Sequence, residues 1–106
     1  MTDRELLELA AKAAGVELWP GCNYRAGKGI FCASGRAWWN PLTDDGDALR
    51  LAVKLRLIVN VELDEVSACN WDGVSVFELI DGDPYAATRR AIVRAAYEIG
   101  QRINDQ

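Results

Sequence analysis

Hydrophobic and polar positions along the chain predict three helices separated by two groups of strands. In the first helix, Thr2 and Glu5 have the spacing of a capping box, and Gly15 supplies a C-terminal stop. The apolar residues at helical spacing predict its core face, namely Leu6, Leu9, Ala10 and Ala13.

The second helix is expected after Pro41, with Thr43 or Asp44 as its N-cap. Helical spacing predicts a buried stripe formed by Ala48, Leu49, Ala52, Val53 and Leu55. If Leu49 is buried, Leu49→Ala should cost about 2–5 kcal/mol of unfolding free energy.

The third helix is expected to begin at Asp83-Pro84. Aspartate can cap it, and proline needs no amide hydrogen at the first helical position. The predicted core face of this helix consists of Thr88, Ile92, Ala95, Ile99 and Ile103.

A hairpin and a β-meander are predicted between the helices. The hairpin has strands 30–32 and 36–38, joined through Ala33-Ser34-Gly35. The meander covers residues 57–79, with Val59, Val61 and Leu63 facing inward and Asp72-Gly73 as a type I′ turn. The order helix, hairpin, helix, meander, helix favours one α+β domain with an antiparallel sheet. The pattern leaves open whether helices cover one face of the sheet or both.

Composition narrows the class of protein. The 106 residues, half of them hydrophobic, are enough for one packed core, and the net charge of −4 disfavours duplex nucleic acid. No apolar run is long enough to span a bilayer, and the N-terminus lacks a signal-peptide layout, so a soluble intracellular protein is expected. Three cysteines without histidine predict buried thiols rather than a zinc site. A Cys22–Cys32 bridge is allowed by spacing but disfavoured in a reducing cytosol.

The sequence gives little support for catalysis. The chain contains no histidine, which removes the commonest general base, and neither Ser34 nor Ser67 has the flanking pattern of an activated nucleophile. Asp44, Asp45 and Asp47 could hold Mg²⁺, but helix capping explains them more simply. We therefore expect a non-enzymatic protein without a cofactor or a metal.

The best candidate for ligand binding is the segment from Asn23 to Trp39. The run Arg25-Ala26-Gly27-Lys28-Gly29 combines two cations with glycines that could let backbone amides face an anion. Trp38 and Trp39 must point to opposite faces of a strand, so one ring can become a stacking platform. The alternative is a mobile loop beside aromatic residues of the core. The predicted ligand-binding residues are Tyr24, Arg25, Gly27, Lys28, Gly29, Arg36, Trp38 and Trp39.

Three segments also resemble a known family. Residues 38–55 (WWNPLTDDGDALRLAVKL), 83–96 (DPYAATRRAIVRAA) and 4–15 (RELLELAAKAAG) look like the small phage proteins grouped under a phage ABA-sandwich domain. The resemblance covers nearly the whole chain and implies a single domain over residues 1–106. It also implies an α/β/α sandwich, with helices on both sides of the sheet, and a phage accessory protein in the host cytoplasm.

This resemblance favours non-catalytic binding, with a role in countering host defence. One hypothesis is that the protein sequesters a nucleotide second messenger of host immunity, using the basic loop for phosphates and an aromatic ring for the base. A second is that its acidic surface inhibits a host nuclease or CRISPR complex. A third is a host-takeover or assembly adaptor. Homo-oligomerisation is plausible because a subunit interface can enclose a small ligand.

Overall fold

The computed structural model describes residues 2–17, 24–32 and 37–104. Their elements follow the predicted order of helix, hairpin, helix, meander and helix. The predicted turn Ala33-Ser34-Gly35, as well as Arg36 and Cys22, lies outside the described residues. The elements are α1 (Asp3–Ala14), β1 (Ile30–Cys32), β2 (Ala37–Trp39), α2 (Asp45–Lys54), β3 (Ile58–Val61), β4 (Glu65–Cys69), β5 (Ser75–Leu79) and α3 (Pro84–Asn104).

The strands form two separate antiparallel groups. β1 pairs with β2, while β3, β4 and β5 form a three-stranded meander with β4 in the centre. With three helices among the described residues, this single domain has the predicted mixed α+β architecture, and its arrangement is consistent with an α/β/α sandwich.

Helix α3 lies at the centre of the domain and is buried on two sides. One side packs on the inward face of the meander, where Ala91 and Ala95 join Val66 and Val76 in one hydrophobic cluster. The other side faces α1 and α2 in a second cluster, which includes Val93. The sheet and the other two helices are therefore held together through α3.

Helices α1 and α3 point in the same direction and pack closely against each other. Asp3 pairs with Arg90 near their N-termini (3.5 Å), and Lys12 contacts Asn104 near their C-termini. At the crossing, a Cβ atom on Gly100 would overlap the backbone carbonyl of Leu9 and lie 2.8 Å from its carbon. Only glycine fits this approach without separating the helices.

All three predicted helix starts are confirmed. Thr2 and Glu5 form the reciprocal capping box of α1. Asp44 caps α2 by accepting the amide of Asp47 at 2.8 Å. Asp83 caps α3 by accepting the amide of Tyr85 at 3.0 Å, with Pro84 in the first turn. The αL conformation of Gly15, which ends α1, also agrees with the prediction (φ 71°).

The predicted buried stripe of α2 is wrong in part. Leu49 and Val53 are 64% and 60% exposed, whereas Leu51 is only 2% exposed. The buried positions follow the spacing i, i+3, i+4, and the prediction mixed this stripe with the apolar one beside it. The residues of α2 that pack in the core are Ala48, Leu51 and Ala52.

The core faces of the other two helices also differ from the predictions. In α1, Leu9 and Ala13 are only half-buried, and the fully covered face also includes Leu7 and Ala11. In α3, Ile103 is 43% exposed because the last turn extends beyond the packed core, whereas Ile92 and Ala95 are buried as expected. Since α3 packs on two sides, its buried residues do not form a single stripe. They are Ala87, Ala91, Ile92, Val93, Ala95, Ala96 and Gly100.

Two details of the meander need correction. Strand β3 ends at Val61, which is 53% exposed, and Leu63 is fully exposed because the chain turns towards β4 there. The β4–β5 turn is longer than the predicted type I′ turn, since the amide of Asn70 donates to the carbonyl of Val74. The Asn70 side chain accepts the amide of Val74 at 2.9 Å and stabilises this longer turn, in which Gly73 has a positive φ.

The corrected face of α2 leads to a stability prediction. Leu51→Ala should lower the unfolding free energy by about 2–5 kcal/mol, because it creates a cavity in the core. Leu49→Ala should change it by less than about 1 kcal/mol, because that side chain is mostly exposed. Chemical denaturation of the two variants checks the assignment, and equal losses for both would contradict it.

The close approach of α1 and α3 gives a second prediction. Gly100→Ala should destabilise the fold by about 1–3 kcal/mol through overpacking, although alanine has the higher helix propensity. Gly46→Ala is the matched control, because a Cβ there meets only side-chain atoms of Arg50 and Asp44, at 3.2 Å. Thermal unfolding of both variants separates the two effects. Equal or higher stability of Gly100→Ala would contradict the packing described above.

Candidate functional site

A tight loop before β1 carries the two cations of the predicted site. The amide of Arg25 donates to the carbonyl of Gly29 at 2.9 Å, and the amides of Lys28 and Gly29 donate back to the carbonyl of Arg25. Gly27 and Gly29 have φ values of 81° and 90°, which favour glycine. This closed turn brings the Arg25 and Lys28 side chains to the same ring.

Both cations lie over the ring of Trp38. Its centroid lies 5.8 Å from the guanidinium carbon of Arg25 and 5.7 Å from Nζ of Lys28. Both distances are within the range of cation–π attraction. Trp38 is 36% exposed, and both cations lie at the surface. The site is therefore open to solvent, and both positive charges lie beside the same ring.

Among the described residues, neither cation has an acidic partner. Within the described ranges, the ion pairs involve other arginines, and Arg25 and Lys28 make none. Two positive charges beside one ring can both attract a bound anion. Because the whole chain has a net charge of −4, this pair is a local positive region on an acidic protein.

The loop is fixed to the N-terminal end of α2. A Cβ atom on Gly29 would lie 2.9 Å from the Trp39 carbonyl carbon and 2.5 Å from Cβ of Asn40. Asn40 is buried, and its backbone amide donates to the Asp47 carboxylate at 3.0 Å. Its carbonyl accepts the amide of Asp44 at 2.9 Å. These contacts hold the loop and Trp38 in a defined relative position.

The two tryptophans point to opposite faces of β2, as predicted. Trp39 pairs with Ile30 in the strand register and packs against the core cluster together with Tyr24, whereas Trp38 carries the cations. Tyr24 and Trp39 thus lie between the site and the core, where they connect the loop and β2 to the packed interior. Arg36 lies outside the described residues.

Two backbone amides of the expected cradle, those of Lys28 and Gly29, are not available to a ligand. The amides of Lys28 and Gly29 are already bonded to the Arg25 carbonyl, and Gly29 is buried. Binding at this site would therefore depend on the Arg25 and Lys28 side chains. The role of Gly29 is structural, because it lets the loop pack closely against β2.

The three acidic residues at the start of α2 have structural partners. Asp44 caps the helix, Asp45 pairs with Arg89 at 2.6 Å, and Asp47 joins Asn40 to Arg50. Among the described residues, no group of three or more potential metal ligands comes together. Likewise, no helix among the described residues is long and apolar enough to cross a membrane.

The structure also reveals a groove that the sequence analysis missed. It lies between α2, β3 and the first half of α3, has a volume of about 570 Å³, and is lined mainly by apolar side chains such as Leu49, Val61 and Tyr85. Leu49 and Val53 form a second apolar stripe on α2, and this stripe was the indication of the groove in the sequence. That stripe was interpreted as core, and the groove went unrecognised.

Compared with known proteins, the chain matches no family model, no curated protein and no solved structure. The resemblance to phage ABA-sandwich proteins therefore remains a prediction.

Proposed function

We propose that the protein binds a phosphate-bearing ligand at the surface formed by Arg25, Lys28 and Trp38, without catalysing a reaction on it. The observation that carries this proposal is the position of two cations, unpaired among the described residues, at the same tryptophan ring. Charge-assisted hydrogen bonds from arginine and lysine are the usual means by which proteins hold phosphate oxygens.

A nucleotide is the ligand class that fits best. It offers phosphates for the two cations and a base that can stack against an aromatic side chain of the site. Together with the resemblance to phage proteins, this favours a nucleotide signal of host immunity as the ligand, and sequestration of that signal as a counter-defence role.

Calorimetry on the purified protein, with cyclic mono-, di- and trinucleotides and ADP-ribose derivatives as ligands, tests the proposal. Arg25→Ala and Lys28→Ala should each weaken binding about tenfold or more, through loss of a charge-assisted hydrogen bond. Their melting temperatures should stay near that of the unmodified protein, because both side chains are exposed. Rising salt should weaken binding further.

Arg4→Ala is the matched control for these variants. It removes the same unit of charge from an exposed pair with Glu8 on α1 and should leave the affinity unchanged. If Arg4→Ala weakened ligand binding equally, the loss of affinity would be due to net charge and not to the site. Absence of binding by every ligand in the panel would refute the proposed function.

A further inference from the structure

The groove between α2, β3 and α3 offers an apolar surface that the fold leaves uncovered. Leu49 from α2, Val61 from β3 and Tyr85 from α3 line it and are 64%, 53% and 69% exposed. Val53 lies one helical turn beyond Leu49 and is 60% exposed, so it extends the apolar strip along α2. Side chains from three different elements thus form one continuous apolar surface, which is the usual mark of an interaction site.

Three polar side chains in the wall of the groove, those of Asp45, Thr88 and Arg89, are already hydrogen-bonded. Arg89 donates to the Asp45 carboxylate at 2.6 Å and to the Leu42 carbonyl at 2.9 Å. The Thr88 hydroxyl donates to the Pro84 carbonyl at 2.7 Å. Most of the remaining lining residues are apolar, so an occupant of the groove would be held mainly by apolar contact.

The rim of the groove is acidic at the end where the β3–β4 turn and the β5–α3 connection border it. The β3–β4 turn contains Glu62 and Asp64, and the β5–α3 connection contains Asp81 and Asp83, all four of them exposed. Glu62 directly follows the lining residue Val61, Asp83 directly precedes the lining residue Pro84, and both acidic residues are exposed. The amide of Ile80 donates to the carbonyl of Asp64 at 2.9 Å, which brings the β3–β4 turn next to the β5–α3 connection. Exposed carboxylates from both connections therefore cluster at one end of the groove.

We infer that this groove binds an amphipathic helix of another protein, with apolar residues on one face and lysine or arginine beside them. The two helices that form its walls give a channel for a third helix, and the acidic rim complements basic flanking positions. A second copy of this chain is disfavoured because two acidic rims would then face each other. The groove and the Arg25–Lys28–Trp38 site are formed by different residues, so each proposal can fail without the other.

Two designed helical peptides provide the test. Both carry leucine on one face; the first has lysine at the flanking positions and the second has glutamate. The lysine peptide should bind the full chain in a fluorescence anisotropy titration, with an affinity that falls as salt increases. The glutamate peptide should bind at least about tenfold more weakly. Equal binding of both peptides, or failure of the lysine peptide to bind, would overturn the inference.

Variants then show whether the peptide uses the groove. Leu49→Gln and Tyr85→Ser should each weaken binding of the lysine peptide about tenfold, since central apolar contacts dominate such interfaces. Leu79→Gln, which changes a side chain that is 78% exposed on β5, is the matched control and should bind normally. Far-UV circular dichroism of the variants confirms that they are folded. A loss of affinity that is as large in Leu79→Gln as in Leu49→Gln, or a concentration-dependent dimer that blocks the peptide, would also overturn the inference.

Discussion

The packing of α3 on both of its sides is the constraint on which the rest of the structure depends. One side of this helix meets the β3–β4–β5 meander, and the other side meets α1 and α2. Small side chains let neighbouring elements approach a helix closely, and α3 supplies alanines on both sides and Gly100 at its contact with α1. The central position of α3 also explains why its buried residues do not form one stripe.

The candidate site depends on the same kind of close approach, at a smaller scale. Gly29 lets the basic loop lie directly against Trp39 and Asn40, and Asn40 connects this region to the N-terminal turn of α2. The cations therefore extend from a rigid base, although their side chains are exposed. A site whose parts are held in place loses less entropy when a ligand binds than a mobile loop would.

The sequence predicted the features that depend on local chemistry. Caps such as Thr2, Asp44 and Asp83, and the order of helices and strands, follow from short-range hydrogen bonding and from periodicity, and all of these are confirmed. Features that depend on neighbouring elements were less predictable. Two adjacent apolar stripes on α2 satisfy the same helical period, and the positions of the neighbouring elements determine that Leu51 is buried and Leu49 lines a groove. Likewise, the sequence placed Arg25 and Lys28 near aromatic residues, but the selection of Trp38 as the ring they share follows from the strand register.

The central claim is that a nucleotide binds beside Trp38, and NMR of the isotopically labelled protein tests it most directly. Addition of a cyclic dinucleotide should shift the indole signal of Trp38 and the amide signals of residues 24–29, while the indole signal of Trp71, which is 87% exposed in the β4–β5 turn, serves as an internal reference and stays in place. Shifts confined to Trp71 or to α3, or unchanged spectra at saturating concentrations of every nucleotide in the calorimetric panel, would contradict the account.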